Sequence, residues 1–383
     1  MSSEFSEPSG LSQFSQFDQF SDRFSDQSSH PFSGSPETPG VLAALGLDAD
    51  RAAEFAPYTD RGLVAGRVSR VDRSTCDIVT GHGTLRAAHG SGPLPCTGDW
   101  AAVAVVGTPN DEPVIEALLD RRTALTRSSA SGRSEGQVLA VNVDAVLIVV
   151  PLDIEPDLGR IERLLTVAWD SGARPVVVLT KADTVDDADD VRADVEAAAP
   201  GADVIVVSAV TGEGVEVLGA IAAGQTLALI GTSGAGKSTL ANALTGAGLA
   251  TGEVRQDGKG RHTTTWRELI PLPGGGVLVD TPGLRGIGLF DVNDGLDMAF
   301  SDVEAFAEEC RFADCGHVAE PGCAVLEAVE TGALPHRRLE SYQKLRREAD
   351  WIASRTDYRL RAERARQWKV IHKEMRRNPS PKK

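Results

Sequence analysis

A glycine-rich stretch near the middle of the chain has the residue types and spacing of a phosphate-binding loop. It lies between the apolar run 226–230 and the helix-like run 240–244, and it consists of Gly231, Thr232, Ser233, Gly234, Ala235, Gly236, Lys237, Ser238 and Thr239. In the pattern G-x-x-x-x-G-K-[ST], glycines let backbone N–H groups face phosphate oxygens, the lysine reaches the β- and γ-phosphates, and the hydroxyl after it ligates Mg²⁺. The stretch predicts a nucleoside triphosphate site and leaves the base open.

Two short motifs at the ends of predicted strands indicate that the base is guanine. They are Thr180-Lys181-Ala182-Asp183 and Ser208-Ala209. An aspartate at position 183 would accept hydrogen bonds from N1 and N2 of guanine, which adenine does not offer. The stem of the lysine would pack over the purine, and the second motif would present a backbone N–H to O6.

A third strand end carries Asp280-Thr281-Pro282-Gly283. Asp280 is predicted to hold Mg²⁺ through water, and the N–H of Gly283 to meet the γ-phosphate. The segment 261–265 reads RHTTT, and either Thr264 or Thr265 should also ligate Mg²⁺. Ordinary guanine-nucleotide domains begin with the phosphate loop, whereas here both guanine motifs precede it, so the domain is predicted to be circularly permuted.

Catalysis is predicted to depend on Lys237 and on help from outside the usual motif. Many GTPases carry a glutamine after the fourth motif residue that orients the attacking water, and this chain has Leu284 there. Slow intrinsic turnover is therefore expected. We hypothesise that His262, or a group from a partner, positions the water; the alternative is that His262 packs or contacts RNA.

Four potential metal ligands follow within fourteen residues: Cys310, Cys315, His317 and Cys323. Three thiolates and an imidazole suit one tetrahedral, structural Zn²⁺ site. Zinc would stabilise a segment whose own core is small. The two other cysteines, Cys76 and Cys96, lack such spacing and are interpreted as packing residues.

The pattern of apolar residues divides the chain into five parts. We predict a disordered Phe- and Ser-rich extension (1–40), a lead-in helix (41–60, helical over 41–56), an OB-like β-barrel (61–130), an α/β P-loop domain (131–290) and a small α-rich zinc-binding domain with a basic tail (291–383). The fold class is therefore multidomain. The expected barrel strands are 63–71, 76–80, 84–88, 99–106 and 113–117, with turns at 81–83 and 108–111.

The α/β part is predicted to form a doubly wound sheet after a polar connector at 121–136. Its expected strands are 144–152, 175–180, 203–207, 226–230, 267–272 and 276–279, and its expected helices are 158–169, 188–199 and 240–244. Beyond the cysteines, residues 334–377 are predicted to form two or more helices with Tyr342, Leu345, Trp351 and Ile352 on an apolar face. Trp368 could stack on a base, although core packing is the simpler interpretation.

The charge distribution and the cysteine content indicate which cellular compartment and which kind of partner are compatible with the sequence. The net charge of the 383 residues is −16, yet residues 337–383 carry sixteen Lys or Arg against six Asp or Glu, a net +10. This asymmetry favours an anionic partner such as nucleic acid. Five cysteines do not form a secreted disulfide framework, and the longest apolar run, 145–152, is too short to span a membrane. A soluble, cytoplasmic and monomeric protein is expected.

From about Thr59 onward the sequence resembles the ribosome small-subunit-dependent GTPases, the bacterial circularly permuted RsgA/YjeQ family. The resemblance rests on the permuted motif order, the RHTTT segment, the cysteine–histidine spacing and the connector 121–127, RRTALTR. It implies an OB-fold domain, a permuted GTPase domain and a zinc domain. It further implies binding to the 30S subunit through 16S rRNA, subunit-stimulated hydrolysis of GTP to GDP and phosphate, and a role in late 30S maturation.

Two other classes of function stay open on the sequence alone. An ATP-using P-loop enzyme is disfavoured by Asp183. A non-hydrolysing RNA-binding assembly factor with GTP as a fixed ligand would share every nucleotide motif, and it would release no phosphate even with ribosomal subunits.

Overall fold

The computed structural model describes residues 39–105, 112–127, 137–246, 267–280 and 294–356. The helices are α1 Pro39–Ala44, α2 Ala49–Thr59, α3 Leu158–Asp170, α4 Ala188–Ala198, α5 Val215–Ala222, α6 Lys237–Thr245, α7 Asp294–Ala299, α8 Ser301–Ala307, α9 Ala324–Glu330 and α10 His336–Thr356. The strands are β1 Val64–Val71, β2 Thr75–Thr80, β3 Gly83–Ala88, β4 Trp100–Ala104, β5 Val114–Leu118, β6 Ala124–Arg127, β7 Gln137–Val141, β8 Ala145–Pro151, β9 Arg174–Thr180, β10 Asp203–Val207, β11 Thr226–Gly231, β12 Glu268–Pro271 and β13 Val277–Asp280.

Strands β1 to β5 close into the predicted five-stranded barrel. Strand β1 pairs antiparallel with both β2 and β4, and β4 pairs antiparallel with β5. A parallel contact between β3 and β5, at Ala88 and Val114, completes the circuit. Cys76 lies in the barrel core and Cys96 is buried, and burial raises the pKa of their thiols to about 12 and about 11. The packing interpretation of both cysteines is confirmed, while the predicted turn at 108–111 lies outside the described residues.

The lead-in helix predicted over 41–56 is wrong as a single element, because the chain forms α1 and α2 with a turn between them. Gly46 has φ of +89° in this turn, a conformation that most side chains disfavour. The carboxylate of Asp48 then accepts a hydrogen bond from the N–H of Arg51 at 2.7 Å and caps α2. The glycine ends one helix and the aspartate starts the next.

The second half of the sheet is the predicted doubly wound layer. Its strand order is β10-β9-β8-β11-β13-β12, in which the first five strands are parallel and β12 is antiparallel to β13. Strand β12 also contacts barrel strand β1 through the pair Arg70 and Glu268, so barrel and layer form one continuous sheet. Helix α5 was not predicted from the sequence; it lies between β10 and β11 in the chain.

Both faces of the parallel strands are covered. In strand β8, Val146 and Ile148 belong to the core that includes Ile161 of α3, whereas Leu147 faces the core that includes Leu240 of α6. Strands buried on both faces are continuous apolar runs in the sequence. For that reason the apolar runs predicted the bounds of these strands closely.

The polar connector predicted over 121–136 contains a strand. Strand β6 pairs antiparallel with β7, and the predicted domain boundary at residue 130 falls between these two strands. Before β6, Arg121 donates to both carboxylate oxygens of the buried Asp99 at 2.8 Å. The basic start of the connector is thus an anchor to the barrel.

A buried arginine joins the barrel to the parallel layer. Arg67 is 1% exposed and donates to the carbonyl of Asn142 at 3.1 Å and to the hydroxyl of Thr226 at 2.8 Å. It also donates to the carbonyl of Leu45 and lies 5.0 Å over the ring of Trp100. Burial lowers the pKa of Arg67 to about 10. One guanidinium therefore connects the end of α1, the end of β7 and the start of β11.

A second buried arginine attaches the C-terminal helices to α3. Arg338 is 1% exposed and donates to Glu162 at 2.9 Å, to both oxygens of Asp302 at 2.8 and 2.9 Å, and to the carbonyls of Ala198 and Ala299. Glu162 belongs to α3 and is fully buried. Nearby, Gly295 of α7 approaches α3 so closely that a Cβ would lie 2.3 Å from a backbone carbonyl oxygen. The two parts of the chain share a tightly packed interface.

Helix α10 differs from the prediction at one residue of its apolar face. The region predicted to be helical, 334–377, is described only as far as Thr356, where it forms one helix, so the prediction of two or more helices is not tested. Tyr342 and Leu345 are each 2% exposed as predicted, but Trp351 is 53% exposed and does not belong to the apolar face. Trp368 and the rest of the basic tail lie outside the described residues.

Among the described residues, every helix is too short or too polar to cross a membrane.

Candidate functional site

Four strands of the parallel layer end at one edge of the sheet, and each end carries a predicted motif. Thr180 closes β9 and is in register with Pro151 of β8 and Val207 of β10. Gly231 closes β11 beside Val149, and Asp280 closes β13. Because these strands are parallel, residues far apart in the chain meet at their carboxyl ends, where open α/β sheets bind ligands.

The glycine loop has a backbone that needs its glycines. Gly231 has φ of +143°, and a Cβ there would lie 2.3 Å from the carbonyl oxygen of Val149. Gly234 and Gly236 also have positive φ, of +82° and +88°. Gly236 leads directly into α6, so the loop ends at a helix N-terminus, which attracts anions.

Lys237 is the first residue of α6, and its ammonium points back into the loop. Nζ donates to the carbonyl of Gly231 at 2.9 Å and to that of Thr232. Ser238 follows in the first helical turn, beside the loop. Ammonium, hydroxyl and loop N–H groups are thus gathered in one place, as phosphate binding requires.

A hydroxyl joins the guanine motif to the phosphate loop. The side chain of Thr180 is 3% exposed, and its Oγ1 donates to the carbonyl of Ala235 at 2.7 Å. Thr180 is part of the predicted motif, but this contact could not be predicted because it joins residues 55 positions apart. The contact fixes the spacing between the two predicted motifs.

The two guanine motifs also contact each other. The hydroxyl of the buried Ser208 donates to Oδ1 of Asp183 at 2.5 Å, and it accepts from the N–H of Thr211 at 3.1 Å. Asp183 is exposed at the edge, with Ala182 and Ala209 half-buried beside it. The serine orients a carboxylate that is open to a ligand.

The predicted γ-phosphate side of the site is described only in part. Asp280 ends β13, but its side chain lies outside the described residues, as do His262, Thr264, Thr265 and Gly283. Their roles stay predictions.

The structure brings Cys310, Cys315, His317 and Cys323 together, with all four ligand atoms within 4.8 Å of one another. Sγ of Cys310 lies 3.8 Å from Sγ of Cys323, and Nδ1 of His317 lies 3.4 Å from Cys323 and 3.7 Å from Cys310. A tetrahedral ion with bonds of about 2.3 Å to sulfur and 2.0 Å to nitrogen separates its ligand atoms by about 3.5–3.8 Å. The cluster fits a metal ion of this geometry.

The surroundings of the cluster hold the ligands in place. His317 has φ of +55°, and its carbonyl accepts from Nε2 of Gln343 on α10 at 2.7 Å. Burial raises the pKa of Cys310, but backbone N–H groups at the start of α9 outweigh it and leave the pKa below its usual value. Burial raises the pKa of Cys323 to about 11.

Glu320 organises the loop between the last two ligands. Its carboxylate accepts from the N–H groups of Val318 at 2.8 Å, Ala319 at 3.0 Å and Gly316 at 3.1 Å, and these bonds lower its pKa to about 2. No sequence pattern distinguishes Glu320 from an ordinary surface acid, so it was not predicted.

Comparison with known proteins identifies the family. The chain is 56% identical over 341 residues to the small ribosomal subunit biogenesis GTPase RsgA of Streptomyces avermitilis, covering 86% of this chain and 91% of that protein. The chain belongs to the RsgA GTPase family. The RsgA of Streptomyces coelicolor is 53% identical over 340 residues, covering 86% of this chain and 92% of that protein.

The RsgA GTPase family model matches residues 118–290, which include both guanine motifs, the phosphate loop and the strand end at Asp280. A second model, described as a 50S ribosome-binding GTPase, matches residues 226–371 and begins at the strand before the phosphate loop. The two models overlap over residues 226–290 of this RsgA-family chain, which include the phosphate loop and Asp280.

Solved structures support the RsgA fold. YjeQ from Thermotoga maritima superimposes with a TM-score of 0.57 at 28% identity, covering 75% of this chain and 98% of that one. YloQ, described as a circularly permuted GTPase, has the same TM-score at 22% identity, covering 75% of this chain and 95% of that one. The predicted permuted fold is confirmed.

Proposed function

We propose that this chain is a GTPase of small ribosomal subunit biogenesis that hydrolyses GTP to GDP and phosphate and is stimulated by the subunit. One observation carries the proposal: the guanine motifs and the phosphate loop meet at one sheet edge, joined by the bond from Thr180 to Ala235. The naming of the relatives as small ribosomal subunit biogenesis GTPases supports the ribosomal role.

Each part of the site has a task in this reaction. The loop N–H groups and Lys237 bind the phosphates and stabilise charge that develops on them in the transition state. Asp183, oriented by Ser208, selects guanine. Bound Mg²⁺ would neutralise phosphate charge, and we propose Ser238, Asp280 and Thr264 or Thr265 as its holders, with the Gly283 N–H at the γ-phosphate.

We further propose that the cysteine–histidine cluster holds one structural Zn²⁺, since four closed N/S ligands are typical of such sites. The partners proposed are the 30S subunit through its 16S rRNA and GTP or GDP, with the protein acting as a cytoplasmic monomer. The positive charge of residues 337–383 supports an RNA partner. The divisions at residues 40, 60, 130 and 290 stay our proposed domain boundaries.

The decisive experiment measures phosphate release from GTP by the protein alone, with 30S subunits and with 50S subunits, and repeats it with ATP. We expect slow basal turnover, strong stimulation by 30S subunits alone, and no turnover of ATP.

Lys237→Ala should lower stimulated turnover at least about a hundredfold, because it removes a transition-state contact. His262→Ala should abolish stimulation if His262 positions the water.

Different failures of this experiment carry different meanings. GTP bound with no phosphate released, even with 30S subunits, would contradict hydrolysis and favour a non-hydrolysing assembly factor. Stimulation by 50S subunits instead would contradict the proposed partner while keeping the enzyme. Full stimulation of His262→Ala would remove only the role of His262.

Base selection is tested by Asp183→Asn. We expect GTP affinity to fall about a hundredfold, since hydrogen bonds to a charged group are lost. Affinity for xanthosine triphosphate should rise, because the amide N–H of asparagine matches the carbonyl that xanthine carries at C2. Competition binding with both nucleotides measures the change. Asp186→Asn, an exposed aspartate three residues away, is the control, and an equal loss in both variants would contradict the assignment.

A further inference from the structure

Lys181 is held at its backbone in an uncommon conformation. Its φ of 63° and ψ of 37° are left-handed, a region that lysine seldom occupies. Its carbonyl accepts from the N–H of Thr184 at 3.0 Å and from the hydroxyl of the same threonine at 2.7 Å. The direction in which the lysine side chain leaves the sheet edge is thereby fixed.

The other end of the same side chain is held by a residue outside every recognised motif. Nζ of Lys181 lies 2.7 Å from Oδ2 of Asp153, and the two side chains are 32% and 40% exposed. Asp153 lies two residues beyond strand β8, and the N–H of Leu152 donates to the carbonyl of Thr180 at 2.9 Å. This bond continues the pairing of β8 with β9 and brings Asp153 beside Lys181.

We propose that Asp153 is a positioning residue for purine binding: by anchoring the ammonium of Lys181, it keeps the four-carbon stem extended as a surface for the base. This inference rests on the proposed function, since it assigns the surface to guanine nucleotides. A free lysine loses much rotamer entropy when it is immobilised. A stem held at both ends before the base arrives loses less of it on binding, which is preorganisation.

The test is Asp153→Asn, which keeps the shape of the side chain and removes its charge. Binding of a fluorescent GDP analogue should weaken about two- to fivefold, the range expected for an exposed ion pair. The loss should appear in the dissociation rate, with the association rate unchanged. KM for GTP should rise with kcat unchanged. Glu155→Gln, an exposed acid in the same loop, removes the same charge without the contact and should bind like wild type.

A double-mutant cycle distinguishes positioning from a general effect. In a Lys181→Met background, Asp153→Asn should have no further effect on GDP dissociation. With Lys181 present, Asp153→Glu keeps the charge and should bind GDP more tightly than Asp153→Asn does. Equal GDP binding by Asp153→Asn and wild type, or an undiminished effect in the Lys181→Met background, would overturn the proposal. A wild-type chain without affinity for guanine nucleotides would instead overturn the proposed function itself.

Discussion

Replacing Arg338 with methionine is expected to lower the free energy of unfolding by about 3–5 kcal/mol, the usual cost of removing one partner from a buried ion pair. The fully buried Glu162 would lose one of its two arginines, and Asp302 would lose both of its bonds to the guanidinium. The carbonyl of Ala299 would also lose its donor. Methionine fills much of the volume but satisfies none of these groups.

Urea unfolding followed by circular dichroism measures this loss. Arg337→Met is the matched control, because Arg337 also bonds Glu162 but is 42% exposed, and a cost below about 1 kcal/mol is expected for it. Adding Glu162→Met to Arg338→Met should recover part of the stability, because the uncompensated charge is removed. Equal costs for Arg337→Met and Arg338→Met would contradict the assignment of Arg338 as the main connection.

The second large effect is expected at the cysteine–histidine cluster. Cys323→Ser should reduce bound zinc from about one ion per chain to near none, because a closed structural site tolerates the loss of a thiolate poorly. Residues 310–323 should then exchange their amide hydrogens much faster, since metal binding and folding of such small segments are coupled.

Metal analysis by mass spectrometry, together with hydrogen exchange over the same residues, measures both effects. Cys96→Ala is the control, because Cys96 is a buried cysteine of the barrel region and should leave the zinc content unchanged. A wild-type chain purified from zinc-containing medium without bound zinc would contradict the proposed ion. Full zinc retention in Cys323→Ser would contradict the ligand set.

The motifs at the carboxyl edge of the parallel strands could be predicted because each one is recognisable from neighbouring residues in the sequence. Each motif directly follows a short apolar run, and strands buried on both faces produce such runs whatever the rest of the chain does. The glycines of the phosphate loop are required by its backbone, so they mark the loop in any sequence. Contacts between motifs, such as Thr180 to Ala235, depend on how the strands are ordered in space and have no local pattern.

Arg338 shows the opposite case. It belongs to a strongly basic stretch, so charge alone favours a solvent-exposed or RNA-binding role. Helical spacing indicates burial instead. Arg338, Tyr342 and Leu345 are separated by four and three residues, so Arg338 shares a helix face with the two apolar residues. Position 351 lies about 100° away from position 352 on the helix, which explains why Ile352 is half-buried while Trp351 is exposed.

The predictions of a single lead-in helix and of a connector without strands were wrong for related reasons. A glycine inside an apolar pattern is compatible with a continuing helix until tertiary contacts favour the turn at Gly46. Strand β6 is four residues long and is defined by its pairing with β7 across an intervening segment. Short strands of this kind are specified by their partner more than by their own residues.

The permuted strand order also sets the sequence of events during synthesis of the chain. Strands β8, β9 and β10, with the predicted guanine motifs at the ends of β9 and β10, are synthesised before β11 and β13. At about 5–20 residues per second, roughly 4–15 s separate the end of β10 from Asp280. Until β11 has been synthesised, early in that interval, β8 has an unpaired edge, which β11 then occupies. If the motifs have the proposed roles, the strands that select the base are made first, and nucleotide does not assist folding until the phosphate loop has been translated.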